Sequence, residues 1–272
     1  MGSERLPFAA LVPYPTVSRL DTATKLVRER RDLWVLKLYP TAGEAGGSFR
    51  WIARDGTRAR GRSPDVERAR QEAERRARGK LRRYATANGL NRLVTCTYRG
   101  EGCHDPRQVR TDVGLFFRRL RASAGGAFPY AWVPEWHKSG HGLHIHAGVG
   151  NYMPKRVLEG AWGQGFVDIR LVGGREGADV LQEARVAAAY LAKYVGKDVG
   201  AGVERGLHRY EVAQGFQPAA VEFAGVSAEA VLAAATEHMG GEPELVWRPD
   251  EDEWDGPPVV WARWARARRD AS

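Results

Sequence analysis

Apolar runs broken by glycine and proline divide this chain into short strands and amphipathic helices. Residues 33–39 (Leu-Trp-Val-Leu-Lys-Leu-Tyr) have strand character, and the glycine-rich stretch 41–48 after them reads as a loop. Pro13 and Pro15 break any earlier helix. Ser63-Pro64-Asp65 is a helix start, with serine as the cap and proline at the first helical position, and the helix runs from Val66 to about Tyr84. Asn88-Gly89 closes it, and 92–98 reads as a strand. Pro106 opens a helix over 109–121 whose apolar face is Val113, Phe116, Phe117 and Leu120. Two strands follow, 130–137 and 143–149, joined by the Gly/Ser-containing segment 138–142 as a hairpin turn. A short helix over 154–162, a strand over 166–172 and an alanine-rich helix over 181–199 complete the series.

Residues 88–200 thus predict the order β-α-β-β-α-β-α: an α+β domain with a mainly antiparallel sheet packed against helices. Three regions are expected: a basic N-terminal region 1–87 with a strand and an Arg-rich helix, the core 88–200, and an extension 201–272. In that extension 207–216 is mixed, 226–238 is helical and 250–255 is acidic. The end, 261–269, alternates tryptophan with arginine. It could stack on nucleic acid, but reads as a peripheral tail.

Charge adds a partner to this picture. The 272 residues carry a net charge of +9, and 35 of the 42 basic residues are arginine, whose fork binds phosphate in two places. A GC-rich genome accounts for arginine replacing lysine, but not for clustering. Between Thr57 and Tyr84 eleven basic residues face four acidic ones. That makes Arg75, Arg76, Arg82 and Arg83, with Lys197 beyond the last core helix, candidate nucleic-acid contacts. Two cysteines exclude a disulfide scaffold. No signal-peptide pattern opens the chain and no run of apolar residues could span a bilayer, so the expectation is a cytoplasmic protein with no membrane partner.

Four of the seven histidines fall between His137 and His146. His144 and His146, two apart in a strand, point to the same face. The hairpin is expected to set Glu135 and His137 opposite His146 and His144. Two imidazoles and a carboxylate with open positions suit Mn²⁺ or Mg²⁺. Without a thiolate cluster, a closed zinc site is not indicated. On the last core helix Tyr190, Lys193 and Tyr194 share one face. Tyrosines at that spacing commonly pack a core; they act as nucleophiles when a metal polarises their electrophile, here a phosphodiester. Lys193 would offset phosphate charge.

His144-Ile145-His146 resembles the His-hydrophobe-His motif of the HUH endonucleases, the rolling-circle replication initiators. Tyr190-x-x-Lys193-Tyr194 is similar to their tyrosine motif in the two-tyrosine form of microvirus A proteins and related plasmid initiators. Leu93-Val-Thr-Cys-Thr-Tyr98 and Trp162-x-x-Gly165-x-Val167 resemble two further segments, in the right order, over about residues 90–200. The resemblance implies a ferredoxin- or RRM-like sheet and a divalent ion held by His144, His146 and Glu135, with His137 or His141 as alternatives to Glu135. It implies that Tyr190, which heads the motif, attacks origin DNA as a single strand, leaving a 5′-phosphotyrosine and a free 3′-hydroxyl, with Tyr194 sharing or replacing that role. The chain is then expected to work in a bacterial cytoplasm on plasmid or phage DNA, touching adjacent duplex or hairpin. The sequence contains no Gly-x-x-x-x-Gly-Lys-Ser/Thr string, so unwinding falls to a host helicase or to supercoiling. A transposase or relaxase of the same chemistry and a non-catalytic nucleic-acid-binding protein are the competing expectations. Relaxases commonly set the tyrosine ahead of the histidines, unlike Tyr190.

Overall fold

A computed structural model describes residues 33–50, 66–172, 179–195, 208–250, 254 and 257–265. In chain order these form β1 (Leu33–Tyr39), a 3-10 turn (Pro40–Ala42), β2 (Glu44–Arg50), α1 (Val66–Ala87), β3 (Arg92–Tyr98) and α2 (Pro106–Ala124). Then come β4 (Tyr130–Trp136), β5 (Leu143–Val149), α3 (Lys155–Trp162), β6 (Gly165–Leu171) and α4 (Val180–Tyr194). The last elements are β7 (Glu211–Val212), β8 (Val221–Gly225), α5 (Ala228–Met239), β9 (Leu245–Trp247) and β10 (Val259–Arg263). The α+β class is as expected, but there are two antiparallel five-stranded sheets rather than one.

Two compact units hold these sheets, one drawn from Met1–Arg62 and Ala219–Ser272, the other from Ser63–Pro218. Their bounds differ from the expected divisions at 87/88 and 200/201. In the first unit the strand order is β8-β1-β2-β10-β9. Leu36, Leu38, Phe223, Val260 and Ala262 on one face bury against Ala228, Val231 and Ala235 of α5. Two expectations are corrected here. The stretch read as a loop at 41–48 contains most of β2. A Cβ on Gly47 would lie 2.5 Å from the Val35 carbonyl oxygen and 2.8 Å from Leu36 Cα, so the absent side chain that suggested a loop is what this close approach requires. The stretch read as a peripheral tail, 261–269, begins inside β10, which lies between β2 and β9, and its Ala262 and Trp264 are buried. Residues 266–269 lie outside the described residues. The flanking segments thus supply a whole sheet, and not only the helices and the single strand foreseen for them.

The second unit orders its sheet β6-β3-β5-β4-β7, so β3 and β5 are central. Helix α2 starts where the Asp105 side chain accepts from the Arg107 amide, with Pro106 in the first turn, and stops at Gly125. Its buried face, Val109, Val113, Phe116, Phe117 and Leu120, meets Val94, Cys96, Trp132, Ile145, Ala147 and Val149 of the sheet. Each such side chain contributes roughly 1.5–3 kcal/mol when fully buried.

On the opposite face α4 presents Ala184, Ala187, Ala188 and Leu191. Small residues let it lie close to Leu81, Tyr84 and Ala85 in the last turns of α1. The Tyr84 hydroxyl donates to the Ala213 carbonyl at 3.0 Å. Helix α1, expected to belong to a separate basic region, is therefore solvated only over its first turns. Its cap at Ser63 and the expected end of α4 at 199 lie outside the described residues. Among the described residues no helix is long and apolar enough to cross a membrane.

Candidate active site

Strand pairing lays the chemistry out in rows. Glu135 is directly opposite His144, and Val133 opposite His146. The expected hairpin register is thus displaced by two residues. An even displacement preserves faces, so Glu135, His144 and His146 still share one. On the other side of β5, Thr95 is opposite His146 and Asp168 opposite Thr95. Phe166 is opposite Thr97, and the Thr97 hydroxyl lies 3.4 Å from His144 Nδ1.

His146 is buried, and its Nε2 donates to Glu135 Oε2 at 2.7 Å. With that proton on Nε2, Nδ1 accepts from the Thr95 hydroxyl 3.3 Å away. Ligation through Nε2 requires the other tautomer, in which Nδ1–H donates to the same hydroxyl. Burial, and then the neighbouring His137, His146 and His141 imidazoles, push the His144 pKa down to about 4. A neutral imidazole is the form that ligates a metal.

Gly148, third in the row His144, His146, Gly148, leaves room for the helix that carries the tyrosines. A Cβ there would lie 2.8 Å from Leu191 Cδ1. Without one, α4 settles onto β5 at Leu191, and Tyr194, just under one turn further on, covers His146. Their rings stack at 4.1 Å with 9° between planes. Tyr190 lies 5.3 Å from Tyr194, edge to face. Arg170 donates to the Tyr190 hydroxyl at 3.1 Å and its guanidinium lies over the ring. Lys193 Nζ is 5.7 Å from the Tyr190 ring centre. Burial first, and then a hydrogen bond with Tyr190, hold the Tyr194 phenol well above the usual tyrosine pKa.

The donor set fits a divalent ion by chemistry and by face: two imidazoles and a carboxylate, with His144 Nε2 buried and lacking a hydrogen-bond partner among the described residues. As the side chains stand, however, no three His, Cys, Asp or Glu groups among the described residues enclose a metal position. His144 stacks instead on His137 at 4.3 Å. Of the alternatives to Glu135, His141 directs Nε2 to the Tyr98 carbonyl at 2.9 Å. His137 holds Nδ1 2.6 Å from the Ser139 hydroxyl.

The candidate DNA contacts separate. Arg75, Arg82 and Arg83 line one shallow groove on α1, joined by Arg78. Arg76 faces elsewhere and pairs with Glu72 at 3.4 Å. Lys197 lies outside the described residues. Sequence reasoning missed Thr95, Thr97, Asp168 and Arg170, although period-two alternation on β3 and β6 was enough to find them.

Residues 91–199, from the start of β3 through α4, match the family model described as replication-associated protein ORF2/G2P. The match contains His144, His146, Tyr190 and Tyr194 and supports a replication initiator of the Rep type. No match was found among curated proteins or among solved structures.

Proposed function

We propose that this protein initiates replication by cutting single-stranded DNA at an origin through tyrosine transesterification. The observation that carries the reading is Tyr194 stacked on His146 with Tyr190 beside it, inside the segment that matches replication-associated proteins. Candidate nucleophiles and candidate metal ligands meet on one face.

Mn²⁺ or Mg²⁺ held by His144, His146 and Glu135 would polarise the scissile phosphate. Tyr190 Oη attacks phosphorus and gives its proton to water; the bond from phosphorus to O3′ breaks, and O3′ takes up a proton. The 5′-phosphate stays on Tyr190 and the 3′-hydroxyl is free to prime synthesis. Tyr190 goes first because Arg170 already donates to its oxygen, while burial makes the Tyr194 phenol harder to deprotonate. Attack of a 3′-hydroxyl on the phosphotyrosine reverses the step and rejoins the strand, so no nucleotide cofactor is consumed. Arg170 and Lys193 offset phosphate charge. The α1 groove holds adjacent duplex or hairpin, and a helicase of the bacterial host unwinds ahead, in the cytoplasm.

The test uses oligonucleotides tiled across the gene's own replicon, with Mn²⁺ or with EDTA. A band shifted upward on a denaturing gel, sensitive to EDTA and mapped by peptide mass to Tyr190, is the expected result. Tyr190→Phe should reduce it at least about tenfold. An adduct lost only in Tyr194→Phe reverses the order of the tyrosines. DNA retention with no adduct on any oligonucleotide leaves a non-catalytic binder.

A further inference from the structure

The edge strand β6 brings another chemistry to the site face. Val167 and Ile169 pack in the core beneath, so alternation places Phe166, Asp168 and Arg170 on the face of the histidines. Arg170 is engaged by Tyr190. Phe166 and Asp168 have no such explanation. Phe166 is 69 % exposed, in a row otherwise made of Thr97, His144 and Glu135. Asp168 is exposed beside Thr95 and has no ion pair among the described residues.

Neither placement buries the side chain, and neither makes an ion pair among the described residues. An exposed ring on an edge strand buries little apolar area, and a carboxylate facing a polyanion repels it unless it meets a hydrogen-bond donor. A nucleobase satisfies both, with a flat face for the ring and an amino edge for the carboxylate.

The geometry points to a base-reading subsite: Phe166 stacks a base next to the scissile phosphate, and Asp168 accepts a hydrogen bond from its exocyclic amine. The inference rests on the site being one for single-stranded DNA. Two strand spacings, about 10 Å, separate Phe166 from His144, which suits a neighbouring nucleotide. Along β6 the Cα atoms of Phe166 and Asp168 are about 7 Å apart, so a base stacked on the ring can bring its edge to the carboxylate. Thymine is disfavoured, because two carbonyls flank its one donor. Cytosine, of equal size, presents an amine.

The experiment measures fluorescence anisotropy of labelled oligo(dC) and oligo(dT) of equal length, with the whole protein at fixed salt in EDTA. Wild type should bind oligo(dC) several-fold tighter. Phe166→Ala should weaken both by about tenfold, the scale of one stacked base, and Phe166→Trp should restore them. Asp168→Ala should bring the two affinities within about twofold, the scale expected when one base-edge contact is lost, by weakening oligo(dC) alone. Wild-type affinities in Phe166→Ala, or an unchanged preference in Asp168→Ala, overturn the subsite. Because EDTA suppresses cutting, the two readings separate. Base dependence without a covalent adduct sinks only the nicking proposal, and an adduct without base dependence sinks only the subsite.

Discussion

The two compact units, each built on an antiparallel five-stranded sheet, carry opposite net charge in their described residues. Among the described residues the Ser63–Pro218 unit has 22 Lys and Arg side chains against 12 Asp and Glu, and the other unit has four against seven. The net charge of +9 conceals this. A polyanion is steered to the first of these and repelled by the described part of the second. Glycines sharpen the contrast. Gly47 lets two strands of one sheet approach, a purely structural use. Gly148 lets a helix settle on the other sheet, and that contact sets a tyrosine over a histidine. The same omission of a side chain serves strand packing in one unit and seats a helix over the candidate site in the other.

The largest effect should come from the histidines. His144→Ala with His146→Ala removes two candidate ligands, and loss of Lewis-acid help worth several kcal/mol corresponds to roughly a thousandfold or more in rate. Adduct formation should fall to background, while retention of single-stranded DNA in EDTA stays within about threefold, since no arginine is touched. Adduct at the wild-type rate would end the assignment of a metal site to this face.

A matched pair of glycine substitutions probes the two sheets directly. Gly148→Val and Gly47→Val each force a side chain into occupied space, and overpacking costs about 1–3 kcal/mol. Urea titration should show a loss of that order for both. Only Gly148→Val should also slow adduct formation, by about a hundredfold, because displacing α4 misplaces the candidate nucleophiles by the order of 1 Å. Equal rates per folded molecule would reduce Gly148 to the role of Gly47.

Much of this site was legible in advance because its signals are local. His144 and His146 sit in an apolar run, and Tyr190 and Tyr194 at helical spacing, so the face each presents follows from periodicity alone. What was not legible depends on pairing. The length of the hairpin turn, and so the displacement that puts Glu135 opposite His144, rests on how His137 bonds Gly142. Strand β2 was hidden because Gly46 and Gly47 resemble a loop until their neighbours are known. Helix α1 was placed in a separate basic region because its charged first turns outweigh Leu81, Tyr84 and Ala85, which only α4 reveals as core. Deleting residues 57–84 would therefore remove part of the core as well as a basic face.

A gentler change isolates the charge. Arg75→Gln with Arg82→Gln alters the exposed groove of α1 and leaves its buried turn intact. If each arginine neutralises one phosphate, the logarithmic salt dependence of duplex binding should lose about 1.8 units of slope. Cutting of short single strands should change by less than about threefold, as expected where base and site contacts dominate over duplex phosphates. In the other unit Arg248 pairs with Glu229 at 2.8 Å on an acidic surface, and Arg248→Gln should leave the slope unchanged. A slope that fell equally in both variants would mean that the duplex is held by charge spread over the chain, and the contrast between the units would carry no functional weight.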